Sequence, residues 1–240
     1  MYREHAPPPA LVPYVDRFWT SDATPAGPPR RILPDGCVDI LIALDGDAAA
    51  IHVIGTMTHA IVVPAYARNR VVAVRFRPGG APRFLRVDAD ELTDADLELR
   101  ALGLAFELDP RAPLASLEAW LLARVTSPAP DPAGHAIGRL LAASPSIPTL
   151  ARETGWSRQW LTRACRRRVG IPPKQLGRVA RMQRAVIALQ EVPRLPLAGA
   201  AVALGYFDQA HMTKDFRELA GATPREAVSI FPIRSIYAGG

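Results

Sequence analysis

Residues 155–173, GWSRQWLTRACRRRVGIPP, and residues 205–224, GYFDQAHMTKDFRELAGATP, are two renderings of one unit. Adding 51 to positions in the first carries Leu161 onto Met212, Thr162 onto Thr213, Arg163 onto Lys214, Cys165 onto Phe216, Arg166 onto Arg217, Gly170 onto Gly221 and Pro173 onto Pro224. Gly155 pairs with Gly205 at an offset of 50, because the second copy has one more turn residue, Phe207. A repeat of this kind decides the architecture around it. In each copy a helix ends at glycine, which reaches the left-handed region cheaply. A tight turn follows, and then Ser157 or Asp208, whose side-chain oxygen can accept from the exposed amides of a new helix. Helix, glycine turn and capped helix form the pattern of a helix-turn-helix.

Working outward, the periodicity predicts helices over about 135–143, 149–154, 157–168, 173–190, 197–203, 208–219 and 224–229. Between the copies runs PKQLGRVARMQRAVIALQ, with Leu176, Val179, Met182, Val186 and Leu189 at helical spacing. At about 1.5 Å per residue this is a rod of roughly 26 Å. Such a rod suits two helices entering successive major grooves, which lie about 34 Å apart.

The outward face of the first helix holds Arg158, Gln159, Thr162, Arg163, Arg166 and Arg167. Arginine can donate twice to guanine, glutamine suits adenine, and threonine offers a hydroxyl or a methyl. Position near the helix start favours Arg158, Gln159, Thr162 and Arg163 for bases, leaving Arg166 and Arg167 for phosphates. The second face holds Gln209, Ala210, Thr213, Lys214 and Arg217, with His211 at its edge and a carboxylate, Asp215, nearby. It is the weaker of the two. For every one of these residues the competing reading is a solvated helix face, and their matched placement in a repeat argues against it.

Charge divides the chain. Residues 135–240 hold 16 Lys+Arg against 6 Asp+Glu, whereas residues 1–134 hold 13 against 17, so a net of +10 and a net of −4 make the total of +6. A polyanionic partner is expected for the basic half alone. Only Lys174 and Lys214 are lysines, and arginine alongside abundant Ala and Pro fits a GC-rich bacterial coding sequence. Cys37 and Cys165 cannot form a CxxC pair or a four-ligand zinc site, and two isolated thiols point to a reducing compartment. No secretory leader and no run of about 20 apolar residues is present, so the expectation is a cytoplasmic, nucleoid-associated protein with no membrane partner.

Residues 30–80 read as strands: RRILPDGCVDILIAL, IHVIGT, AIVVPAY and RVVAVRFRPGG are short Val- and Ile-rich runs bounded by Asp-Gly, Gly-Asp or Pro. They predict a sheet that curls or closes into a small barrel. One helical turn is expected at 81–86, a helix from Asp94 to about Phe106, and another from Leu114 to Val125. The Pro-rich segment SPAPDPAG reads as a linker. The resulting fold class is α+β: a β-rich domain at 1–126, a linker at 127–134, an all-α double helix-turn-helix domain at 135–232 and a tail at 233–240.

At this level of detail, LARETGWSRQWLTRACRRRVGIPP, RVARMQRAVIAL and ALGYFDQAHMTKDFRELAGATPREAV resemble the DNA-binding domain of the AraC/XylS family of bacterial transcription regulators. Gly205, Tyr206, Asp208, Gln209, His211, Phe216, Gly221, Thr223, Pro224 and Glu226 stand where that family's pattern asks for them. The resemblance implies that Gln159 and Arg163 read bases from the first helix, and Gln209, Ala210 and Lys214 from the second. It implies double-stranded promoter DNA as partner, with RNA polymerase, a small-molecule effector and a second copy of the chain as further partners. Three positions depart from the pattern: Cys165 replaces a core phenylalanine, Ala200 a larger apolar residue, and Gly199 sits inside a short helix. The segments PPPALVPYVDRFW, ILPDGCVDILIAL, VIGT, VVAVRFRPGGAPRFL and ADELTD resemble a companion domain of many such regulators, which implies a sensing or dimerising role. Sugar-sensing members of the wider family use a cupin-like barrel.

Catalytic signals are sparse, and no catalytic residue, metal site or cofactor is assigned. The five histidines lack cupin metal spacing, although His52 and His59 share an extended stretch. Asp35, Cys37 and Asp39 alternate on a strand that starts at a turn. Because DNA-repair methyltransferases join a DNA-binding module that this one resembles to a reactive cysteine, Cys37 raises a DNA alkylation-response methyltransferase as the alternative function, but it lies in an apolar run without an activating neighbour. Arg75 and Arg77 share a strand face and can hold an anionic effector; the competing reading pairs them with acidic residues 88 to 98. Tyr14, Phe18 and Trp19 can wall a pocket or pack on the sheet.

Overall fold

In the strand Asp39–Asp45 every second side chain is buried, namely Ile40, Ile42 and Leu44, as alternation on a half-covered sheet requires. The computed structural model describes residues 2–22, 30–46, 48–63, 70–125 and 131–230. Its strands are β1 (Tyr2–His5), β2 (Val15–Ser21), β3 (Arg30–Ile32), β4 (Asp39–Asp45), β5 (Ala48–Ile54), β6 (Ile61–Val63), β7 (Arg70–Phe76) and β8 (Asp96–Glu98). Six form one antiparallel sheet in the order β1-β2-β7-β4-β5-β8, and β3 pairs with β6 as a separate ribbon. Of the two forms expected, a curled sheet and a closed barrel, the described strands leave the sheet unclosed, with β1 and β8 at its edges. The sheet packs against α1 (Pro82–Leu85) and α2 (Pro113–Leu122), whose Phe84, Leu85, Leu117 and Leu121 join Phe18, Ile40, Val74 and Phe76 in one core. Phe18 thus packs, Tyr14 meets Phe84 edge-on at 5.6 Å, and Trp19 lies 5.8 Å from Tyr2.

The helix expected over 94–106 does not form. Leu97 instead pairs with Val53 in β8, and a 3-10 turn over Leu99–Leu102 ends at Gly103, which is left-handed at φ 69°. Pairing with the open edge of β5 satisfies backbone groups that an isolated short helix would leave to water.

The C-terminal half is helical: α3 (Pro132–Ala143), α4 (Ile147–Thr154), α5 (Arg158–Val169), α6 (Pro173–Glu191), α7 (Leu197–Ala203), α8 (Gln209–Ala220) and α9 (Pro224–Ile230). Part of the segment read as a linker belongs to α3, because Pro132 takes the first helical position, where no amide is needed, and Asp131 accepts from the Gly134 amide. Residues 126–130 and the tail at 233–240 lie outside the described residues. The rod α6 buries Leu176, Val179, Met182, Val186 and Leu189 among the surrounding helices. That core extends into the first domain: Leu33 is buried in it, and the buried Gln183 donates to the Pro34 carbonyl at 2.7 Å.

Candidate nucleic-acid interface

Both helix-turn-helix units are set by the caps that the sequence announces. Gly155 and Gly205 take φ of 73° and 83°, the Ser157 hydroxyl accepts from the Trp160 amide at 3.1 Å, and the Asp208 carboxylate accepts from the His211 amide at 2.7 Å. Once started, α5 buries Leu161, Cys165 and Val169, and α8 buries Met212, Phe216 and Leu219. The opposite faces are thereby turned outward. Gly170 and Gly221 end the two helices in the left-handed region.

Arg158, Gln159, Thr162, Arg163, Arg166 and Arg167 together line one open groove. Gln209, Ala210, Thr213, Lys214 and Arg217 line a second. Each groove also holds a carboxylate that the repeat does not single out. Asp90, from the 3-10 turn Ala89–Leu92, borders the first, and Glu218 borders the second. Arg167 donates from Nε to Asp88 at 2.8 Å, so the N-terminal domain engages one cation of the first face. Arg168 turns away from this face, donating to the Gly79 carbonyl and to Asp131.

Asp215 does not lie on the second face. It is 3% exposed and bound between α8 and the rod, accepting from Arg178 at 2.9 Å and lying 3.5 Å from Arg181. Arg178 also pairs with Glu218. The sequence carried the signal, since Met212, Asp215, Phe216 and Leu219 occupy i, i+3, i+4 and i+7, a buried-face pattern in which one member is charged. The corresponding residue of the first copy is Ala164.

The expected effector pair separates. Arg75 reaches Asp35 and Asp39, each at 3.2 Å, rather than the acidic stretch 88–98. Burial pushes the Asp39 carboxyl up, with Arg75 opposing, while Arg75 itself is held charged against its own burial by Asp39 and Asp35. Arg77 is exposed and donates from Nε to the Val12 carbonyl at 3.0 Å. Cys37 is 5% exposed, and burial together with Asp35 raises its thiol well above the ordinary range. Burial pushes the Cys165 thiol up to about 12. His52 pairs with Asp96 at 2.7 Å and His59 with Thr58, and no group of three or more candidate metal ligands occurs among the described residues. No described helix is long and apolar enough to cross a membrane.

Two separate stretches of the chain match known domain families. Residues 150–229 match a helix-turn-helix domain family, and residues 3–98 match a domain of unknown function, DUF6597. No curated protein matches the chain. Among solved structures, ToxT from Vibrio cholerae is similar at 12% identity and a TM-score of 0.47, over 90% of this chain and 99% of that one. The C-terminal domain of AraT, a response regulator from Geobacillus stearothermophilus, is similar at 20% identity and a TM-score of 0.36, over 42% of this chain and 84% of that one. The chain therefore carries a DUF6597 domain followed by a helix-turn-helix domain.

Proposed function

We propose that the chain is a sequence-specific transcription regulator whose helices α5 and α8 enter two successive major-groove segments of promoter DNA. The carrying observation is that matched positions of a repeat line two open grooves on a basic domain, on helices whose larger apolar side chains are turned into the core. Gln159 and Arg163 read bases from α5; Gln209, Ala210 and Lys214 read from α8. Arg158 and Thr162 support the first set, Thr213 the second, and Arg166, Arg167 and Arg217 neutralise phosphates. The N-terminal domain, 1–126, senses an effector or a second copy of the chain, and promoter position brings RNA polymerase into contact. With Arg75 occupied by two carboxylates, Arg77 is the cation of that pair left to meet an anionic effector. This work is cytoplasmic and nucleoid-associated. A regulator rather than a methyltransferase is supported by Cys37, a buried thiol with no thiolate to offer a methyl donor.

Selection of duplexes from a random-sequence pool by the full chain tests this reading. A bipartite motif with half-sites about 10 base pairs apart is expected, bound with an affinity that falls steeply with salt as counterions are released. Recovery of no enriched sequence, with binding that varies little among duplexes, contradicts it.

A further inference from the structure

The N-terminal domain meets the helical domain at matched points of the repeat. Val169 and Gly170 close α5, and Leu219 and Gly221 stand at the same end of α8. The last carbonyls of a helix have no partner within it. At these two ends the partners come from the N-terminal domain. The Thr56 hydroxyl donates to the Val169 carbonyl at 2.5 Å, and the Thr93 hydroxyl to that of Gly170 at 2.8 Å. The Ala60 amide donates to the Leu219 carbonyl at 2.7 Å, and Arg31 Nη1 to that of Gly221 at 3.4 Å.

Thr56 and Ala60 lie on one short stretch, whose Cα atoms can be no more than about 14 Å apart. That stretch is itself fixed. Asp94 accepts from the Thr58 amide and hydroxyl at 2.7 and 2.5 Å, and its own amide donates to the Thr56 carbonyl at 3.0 Å. A Cβ at Gly55 would stand 1.6 Å from the Leu92 carbonyl oxygen, and one at Gly170 would stand 2.9 Å from that of Ala89. Neither approach leaves room for a side chain. Thr56 is fully buried, so no water can take over its donor role.

We propose that the N-terminal domain is a bracket that fixes the placement of the two reading helices by holding their C-terminal ends, with Thr56 as the positioning residue. This rests on the two-reader function above and adds that half-site spacing is set by the N-terminal domain as well as by the rod. The test uses the full chain, a duplex it has selected, and the same duplex with one base pair inserted between half-sites, a displacement of about 3.4 Å. The wild type loses about tenfold or more on insertion, a typical cost for a disturbed site. Thr56→Val keeps the shape but not the donor, and the insertion penalty falls to about threefold, within the range of one lost hydrogen bond. Thr56→Ser restores the wild-type penalty. Thr93→Val, at the less buried contact, gives a smaller change of the same sign and decides the matter if Thr56→Val does not fold. An unaltered penalty in the folded Val variants overturns the bracket alone. Failure to select any bipartite duplex overturns the two-reader function and the bracket with it.

Discussion

The two matched helices, α5 and α8, are built from the same plan but secured differently. Helix α5 carries four arginines on its outward face and a small thiol, Cys165, at the core position where α8 has Phe216. Helix α8 carries fewer cations outward but is tied to the rod by a buried carboxylate, Asp215, where the first copy has Ala164. Both helix ends meet the N-terminal domain, but α5 does so through the Thr56 and Thr93 side chains and the Asp88 carboxylate, whereas α8 has in addition a buried ion pair to its own domain's rod. Duplication preserved the capping and turn chemistry, which is local, and let the anchoring diverge, which is not.

The largest expected effect separates the two cores. Phe216→Ala removes a fully buried ring and should cost about 3–5 kcal/mol, whereas Cys165→Ala should cost about 1 kcal/mol; thermal unfolding measures both, and equal losses would erase the contrast. Next comes the anchor. Asp215→Ala leaves Arg178 and Arg181 without their shared carboxylate, and because both arginines keep partial solvent contact the loss should be about 2 kcal/mol. Chemical denaturation checks it, and a change within error would mean that α8 is held by apolar packing alone.

A smaller effect runs the other way. Gly199 is exposed inside α7 with open space around its Cβ position, so Gly199→Ala should raise stability by about 1 kcal/mol and firm the second unit; a lowered melting temperature would show that the glycine serves some other purpose. Smallest is the effect at Arg167. Its pair with Asp88 is well exposed, so Asp88→Asn should tighten DNA binding only about two- to threefold. The slope of log affinity against log salt should steepen by about 0.9, one added phosphate contact. An unchanged slope would show that Arg167 already reaches DNA in the intact protein.

Much of the helical half was legible because its signals are local. Ser157, Asp208, Gly155, Gly205 and Pro173 mark helix boundaries by their own backbone chemistry, and the rod's apolar spacing names its buried face. The misreadings fell where distant pairing outweighs local pattern. Leu97, Leu99, Leu102 and Leu104 look helical until the free edge of β5 claims Leu97, a partner 44 residues earlier in the chain. Pro132 looked like a helix breaker because its place at a first turn depends on Asp131 capping behind it. Asp90 and Thr56 give no sign in the sequence of lying beside α5, since both placements exist only when the domains dock. Asp215 was readable from its helical position, but its charge drew attention to the wrong face.

The central claim is that α5 and α8 both read DNA, and unequally. Affinity of the full chain for its own selected duplex, measured for Arg163→Ala, Lys214→Ala and the double variant, tests it directly. We expect Arg163→Ala to cost about 2 kcal/mol, roughly thirtyfold, and to relax preference at one base position, with Lys214→Ala costing about 1 kcal/mol at the other half-site. Wild-type affinity in the double variant would contradict the account.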